Sequence, residues 1–137
     1  MLSQTGEYAL RAVLYLAADT SGQPVRVSEM AAELAIPQNY LSKILHLLAR
    51  GGVLASARGK HGGFQLAIPP ERLSLYRVVA PFDRLDDRRR CLLGRPQCSD
   101  RTACAVHTRW KDVADRLVSF FRETTVADLQ LGATIPA

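Results

Sequence analysis

The sequence predicts a mainly α-helical fold with a small β-wing, that is, a winged helix-turn-helix unit followed by a long dimerisation helix. Three observations carry this expectation. Two short helical patterns meet at a tight turn around Ala35-Ile36-Pro37; two short β-like runs then flank a glycine-rich segment; and a long apolar stripe of helical period occupies the last third of the chain. At 137 residues, 47% of them hydrophobic, the chain is long enough to bury one core and too short for two independent domains.

Residues 4–18 set Tyr8, Val13, Leu14, Leu16 and Ala17 among few polar residues and stop at the turn-like run from Asp19 to Pro24, which predicts a first helix. Ser28 is placed to cap a second helix, with Glu29 favourable against its dipole, and that helix ends near Ala35. Pro37 restarts the chain into a third helix over 38–50, whose Leu41, Ile44, Leu45 and Leu48 fall on one face before Gly51-Gly52 closes it. The runs 53–57 and 64–68 read as strands around Arg58-Gly59-Lys60-His61-Gly62-Gly63, where glycine permits positive φ.

A fourth helix is expected from Glu71 or Arg72 to about Ala80, where Pro81 stops it ahead of a polar, arginine-rich stretch running from Asp83 to Asp100. From Cys104 to about Thr124, Val106, Trp110, Val113, Leu117, Phe120 and Phe121 recur at helical spacing. So long a stripe needs a partner. A winged helix of this length has little core left to cover it, so Trp110, Val113, Leu117, Phe120 and Phe121 are read as the interface of a two-fold homodimer, the alternative being that the chain's own core takes them. Thr125 and Asp128 form a capping-box pattern that opens a last helix through Leu131. The resulting division is 1–80 for the winged helix-turn-helix, 81–104 for the cysteine-containing loop and 105–137 for the dimerisation and C-terminal helices.

Charge places a function on the first of these. The formal net charge is +5 and the isoelectric point near 9.5. Between Pro37 and Pro70 the chain carries Lys43, Arg50, Arg58 and Lys60 and no Asp or Glu. A solvated basic face would show the same charge. Combined with a helix-turn-helix, which holds its second helix in the major groove, and with a wing, it points to double-stranded DNA. The residues expected to meet DNA are Gln38, Asn39, Tyr40, Ser42, Lys43 and Arg50 on the third helix and Arg58, Lys60 and His61 on the wing. No apolar run approaches the length of a membrane span and the first residues lack a signal-like pattern, so no membrane association and a cytoplasmic location are expected.

Three cysteines, Cys91, Cys98 and Cys104, are followed by His107. An odd number of thiols confined to one short segment suits a ligand set in a reducing compartment better than a disulfide framework. Soft thiolates favour iron-sulfur clusters, zinc or copper(I). Structural zinc sites use closely paired cysteines, whereas these wider gaps need a longer loop to wrap a larger object, so the spacing favours a [2Fe-2S] or [4Fe-4S] cluster over zinc. No nucleophile-base pairing, phosphate-binding glycine loop or paired-carboxylate motif stands out, and an enzyme is not expected.

These residues together resemble the IscR/NsrR family of bacterial winged-helix regulators. The resemblance runs from Gly6-Glu7-Tyr8-Ala9-Leu10-Arg11 to about Leu131, through Ile36-Pro37-Gln38-Asn39-Tyr40-Leu41, the wing Arg58 to Phe64, and the cysteine trio followed by His107 and Trp110. It implies a transcription regulator whose operator affinity is controlled by an iron-sulfur cluster sensing redox, nitric oxide or iron-sulfur status. It further implies that the three cysteines are ligands, and that the fourth is either a histidine shortly after the last cysteine or an acidic residue in the first helix. His107 and Glu7 stand at those positions. The six residues between Cys91 and Cys98, where five is more usual, depart from the family pattern and leave the cluster type open. A zinc-stabilised winged-helix regulator or interaction protein is the alternative.

Overall fold

The computed structural model describes residues 2–89, 92–94, 101 and 104–130. Helix α1 spans Gln4–Ala18, and the hydroxyl of its N-cap, Ser3, accepts from the Gly6 backbone N–H at 3.0 Å. Helix α2 spans Val27–Leu34. Ser28 is not its cap: Arg26 holds that position with no side-chain cap bond, and the helix begins two residues early. The reason lies in the preceding residue. Val25 and Phe64 exchange two backbone hydrogen bonds of 2.8 Å, so the chain is held extended up to Val25 and must turn at Arg26.

Ala35 ends α2 in the left-handed region, φ 54°, an uncommon conformation for a residue with a Cβ. The turn sends the Ile36 N–H back to the Ala31 carbonyl at 3.1 Å and buries Ile36. Helix α3, Gln38–Arg50, then follows directly on Pro37, with Leu41, Ile44, Leu45 and Leu48 all buried as their spacing requires.

Strands β1, Leu54–Ala57, and β2, Gly63–Leu66, pair antiparallel with Leu54 opposite Leu66 and Ala57 opposite Gly63. They form the expected wing, slightly shorter than the sequence pattern. Gly63 has φ 148°, and a Cβ there would overlap the Val25 carbonyl, so only glycine lets the wing lie against the start of α2.

The helix expected over 71–80 is interrupted. A 3₁₀ turn at Pro70–Arg72 gives way to an extended Leu73, and α4 covers only Leu75–Val79, its N-terminus capped by the Ser74 hydroxyl. Long-range pairing overrides local propensity here. The Leu75 N–H donates to the Thr124 carbonyl at 2.9 Å and the Val126 N–H to the Leu73 carbonyl at 2.8 Å, and an unbroken helix would have consumed those groups internally. A second 3₁₀ turn, Leu85–Arg89, leads into the cysteine loop.

Helix α5 spans His107–Glu123 and α6 spans Val126–Gln130. The capping box forms reciprocally, Thr125 N–H to Asp128 at 2.9 Å and Asp128 N–H to the Thr125 hydroxyl at 3.2 Å. Phe121 and Val126 join the same core as Val13, Met30, Leu41 and Val78, so the C-terminal helices complete the core of the first 80 residues. This corrects part of the apolar stripe. Phe121 is 3% exposed and faces the chain's own core, and Ala114 and Val118 on the same side of the helix are buried, whereas Val113 is 58% and Phe120 52% exposed. Adjacent residues on a helix differ by about 100° in direction, so a stripe this wide serves two faces.

Candidate nucleic-acid interface

With its apolar stripe buried, α3 turns Ser42, Lys43, His46, Leu47 and Arg50 outward as one surface. Gln38 and Asn39 are exposed in its first turn, and Arg58, Lys60 and His61 are exposed on the wing. The structure therefore brings the basic residues read from the sequence to the outer face of α3 and the wing beside it. Tyr40 differs from its neighbours because it is engaged within the chain: its hydroxyl hydrogen-bonds the Thr5 hydroxyl, and its ring meets Tyr8 edge-to-face at 5.7 Å. It is a brace between α1 and the start of α3.

Two residues outside the predicted set of DNA contacts belong to this face. His46 projects from α3 to the wing, its ring edge-to-face with Phe64 at 5.3 Å and its Nδ1 2.7 Å from the Ser42 carbonyl. Because a carbonyl can only accept, Nδ1 carries the hydrogen. Arg26 reaches across from the start of α2 and donates through Nη2 to the Lys60 carbonyl. A basic residue directly before a helix was the available signal for Arg26; its proximity to the wing follows from the Val25–Phe64 bridge, which no local pattern reveals.

Of the cysteines, Cys91 and Cys98 lie outside the described residues. Cys104 is half-buried just before α5, and its carbonyl accepts the backbone N–H of His107, the first residue of that helix, at 3.1 Å. Cys104 and His107 thus share one turn at the head of α5. Glu7 is exposed on the first turn of α1. Among the described residues, no three His, Cys, Asp or Glu side chains gather as a metal site. As chemistry, three thiols and an imidazole in one segment form a donor set that fits an iron-sulfur cluster. Trp110 and Leu117 are half-buried on α5, while Val106 at its N-cap and Val113 and Phe120 along it, at intervals of seven residues, are exposed.

Among the described residues no helix is long and apolar enough to cross a membrane. A family model described as "Rrf2: Iron-dependent Transcriptional regulator" matches residues 2–131. The regulator IscR of Vibrio atlanticus is 31% identical over 128 residues, covering 93% of this chain and 73% of that protein. Two solved structures share the fold: CymR, the global cysteine regulator of B. subtilis, with a TM-score of 0.77 at 20% identity over 98% of both chains, and T. potens IscR, with a TM-score of 0.75 at 19% identity over 99% of this chain and 93% of that one. The basic helix-turn-helix, the wing and the nearly full-length family match converge: this chain belongs to the Rrf2 family of winged-helix transcriptional regulators and is not an enzyme.

Proposed function

We propose that this regulator binds operator DNA as a homodimer, and that an iron-sulfur cluster held by Cys91, Cys98 and Cys104, with His107 or Glu7 as fourth ligand, sets its affinity. The observation that carries the DNA half is the exposed face of Lys43, Arg50, Arg58 and Lys60, in a segment without a single acidic residue to oppose a phosphate backbone. Gln38, Asn39 and Ser42 are the uncharged groups on α3 that would read base edges, and His61 lies at the tip of the wing.

For the sensing half the support is the donor set and the position of Cys104 and His107 at the head of α5. When bound, the cluster supplies a group that changes charge or falls apart in response to redox, nitric oxide or iron-sulfur supply. The chain's contribution is to hold that group next to the helix whose exposed Val113 and Phe120 are proposed to meet a second copy, so that ligand geometry at one end of α5 biases the spacing of two recognition helices. Trp110 and Leu117 flank that surface.

The experiment is purification without oxygen, followed by the visible spectrum, the iron and sulfide content, and duplex binding before and after removal of the cluster. A brown protein whose operator affinity changes on cluster removal is the expected result. A colourless protein containing zinc overturns the sensing half in favour of a structural metal. Cytoplasmic residence follows from the same proposal, since thiolate ligands require a reducing compartment.

A further inference from the structure

We infer that the groove between the wing and α3 is a seat for one backbone phosphate of duplex DNA, with Arg26 as a direct contact. This rests on the DNA-binding reading above and adds a residue from outside the basic segment that carries it. The groove has a volume of about 430 Å³, and Arg26, His46 and Arg58 line it with Gly62, Gly63 and Phe64. Every ionisable side chain on its wall is an arginine or a histidine, and no carboxylate lies there to neutralise them. That volume far exceeds one water's share of about 30 Å³, so a solvated phosphodiester has room to enter.

Local structure holds the seat ready. The two bonds between Val25 and Phe64 fix the backbone of Arg26 beside the wing, and its Nη2 donates to the Lys60 carbonyl, which orients the guanidinium. A guanidinium has five donors in a planar fork, and one bond to a carbonyl leaves an edge for a phosphate oxygen. Ordering it before binding lowers the entropic cost of the contact. His46 is oriented likewise by the Ser42 carbonyl and the Phe64 ring. A Cβ at Gly62 or Gly63 would overlap neighbouring backbone atoms, so glycine at both positions lets the wing turn tightly and pack directly against Val25 and Arg26, which keeps the two sides of the groove together.

Arg26→Ala, Arg26→Lys and Arg58→Ala, each in the full chain, are titrated with a mixed-sequence duplex across a salt series, with dimer state and circular dichroism as folding controls. Loss of one phosphate contact flattens the log–log salt dependence by about 0.9. Arg26→Ala should show that loss, Arg26→Lys should restore it, and Arg26→Ala should remove a similar increment when added to Arg58→Ala. No further flattening in the double variant means that Arg26 acts only by holding the wing, and overturns the inference. An Arg26→Ala slope equal to wild type, with Arg58→Ala flattened, also overturns it while leaving DNA binding intact. Failure of the wild-type chain to bind the duplex in a salt-dependent way removes the underlying reading instead. Arg26-dependent binding of millimolar inorganic phosphate, without any Arg26 effect on the duplex, would assign the groove to a free anion and overturn the seat.

Discussion

The carboxylate of Asp83 sits on the first turn of α1, accepting the Ser3 backbone N–H at 3.0 Å and the Ser3 hydroxyl at 2.9 Å. Eighty residues separate the two in sequence. Asp83 is only 9% exposed and opens the polar stretch that leads to Cys91, so the stem of the cysteine loop is bonded to the helix that carries Glu7. Two residues past Ser3, Thr5 bonds Tyr40 at the start of α3. A continuous set of contacts therefore runs from the loop stem through the first turn of α1 to the recognition helix.

That geometry predicts coupled stability effects. A Cβ at Gly6 would overlap Asp83 Oδ2, so Gly6→Ala should destabilise by about 1–3 kcal/mol through overpacking. Asp83→Ala should cost about 1–2 kcal/mol by removing the acceptor for Ser3. In the Asp83→Ala background the Gly6→Ala penalty should shrink, because the overlapping atom is gone. Denaturant unfolding of the four proteins checks this; strictly additive values would contradict the arrangement.

The DNA face predicts that Lys43→Ala and Arg58→Ala each weaken duplex binding and flatten its salt dependence by about 0.9, leaving the fold and assembly unchanged. Both side chains are exposed and remote from the core. Titrations by fluorescence anisotropy at several salt concentrations provide the measurement.

On α5 the two faces should separate experimentally. Phe121→Ala should cost about 3–5 kcal/mol of fold stability by opening a cavity in the core. Val113→Asp or Phe120→Asp should instead shift sedimentation at micromolar concentration from dimer to monomer, because their exposed side chains are the proposed interface and a carboxylate buried there is costly. Leu117 packs partly against the core and would confound the two effects.

Cluster ligation predicts two classes of variant. Cys91→Ala, Cys98→Ala and Cys104→Ala should each lose the visible chromophore, since no other side chain replaces a thiolate well. Of His107→Ala and Glu7→Ala, the one at the true fourth ligand should keep a cluster with an altered spectrum, and the other should leave the spectrum unchanged. Anaerobic absorption and circular dichroism spectra read both.

At alkaline pH, Tyr76 should contribute a measurable loss of stability. Its hydroxyl donates to the Asp86 carboxylate, which chiefly raises its pKa above the ordinary value of 10.0, while the Arg122 guanidinium lies 4.2 Å from the ring centroid. A pKa raised on folding contributes stability that is fully present below the unfolded value and is lost as pH rises through the folded one. Above about pH 10, wild type should therefore lose more stability than Tyr76→Phe. Parallel alkaline decline in the two proteins would rule out the contribution.

Where local chemistry decides, the sequence alone determined the outcome. Helix α1, helix α3 and its buried stripe, the glycine-rich wing and the reciprocal cap of Thr125 and Asp128 all rest on contacts among residues close in the chain, which periodicity and turn chemistry record. Only the tertiary structure decided the start of α2 at Val27, the extended break at Leu73, the inward turn of Phe121 against the outward turn of Phe120, the clamp of Asp83 on Ser3 and the reach of Arg26 to Lys60. Each of these depends on a partner distant in sequence: Phe64 for Val25, Val126 for Leu73, the shared core for Phe121. Hydrogen-bonding groups and apolar faces are satisfied by whichever partner the fold brings near, and that choice leaves no trace in local spacing.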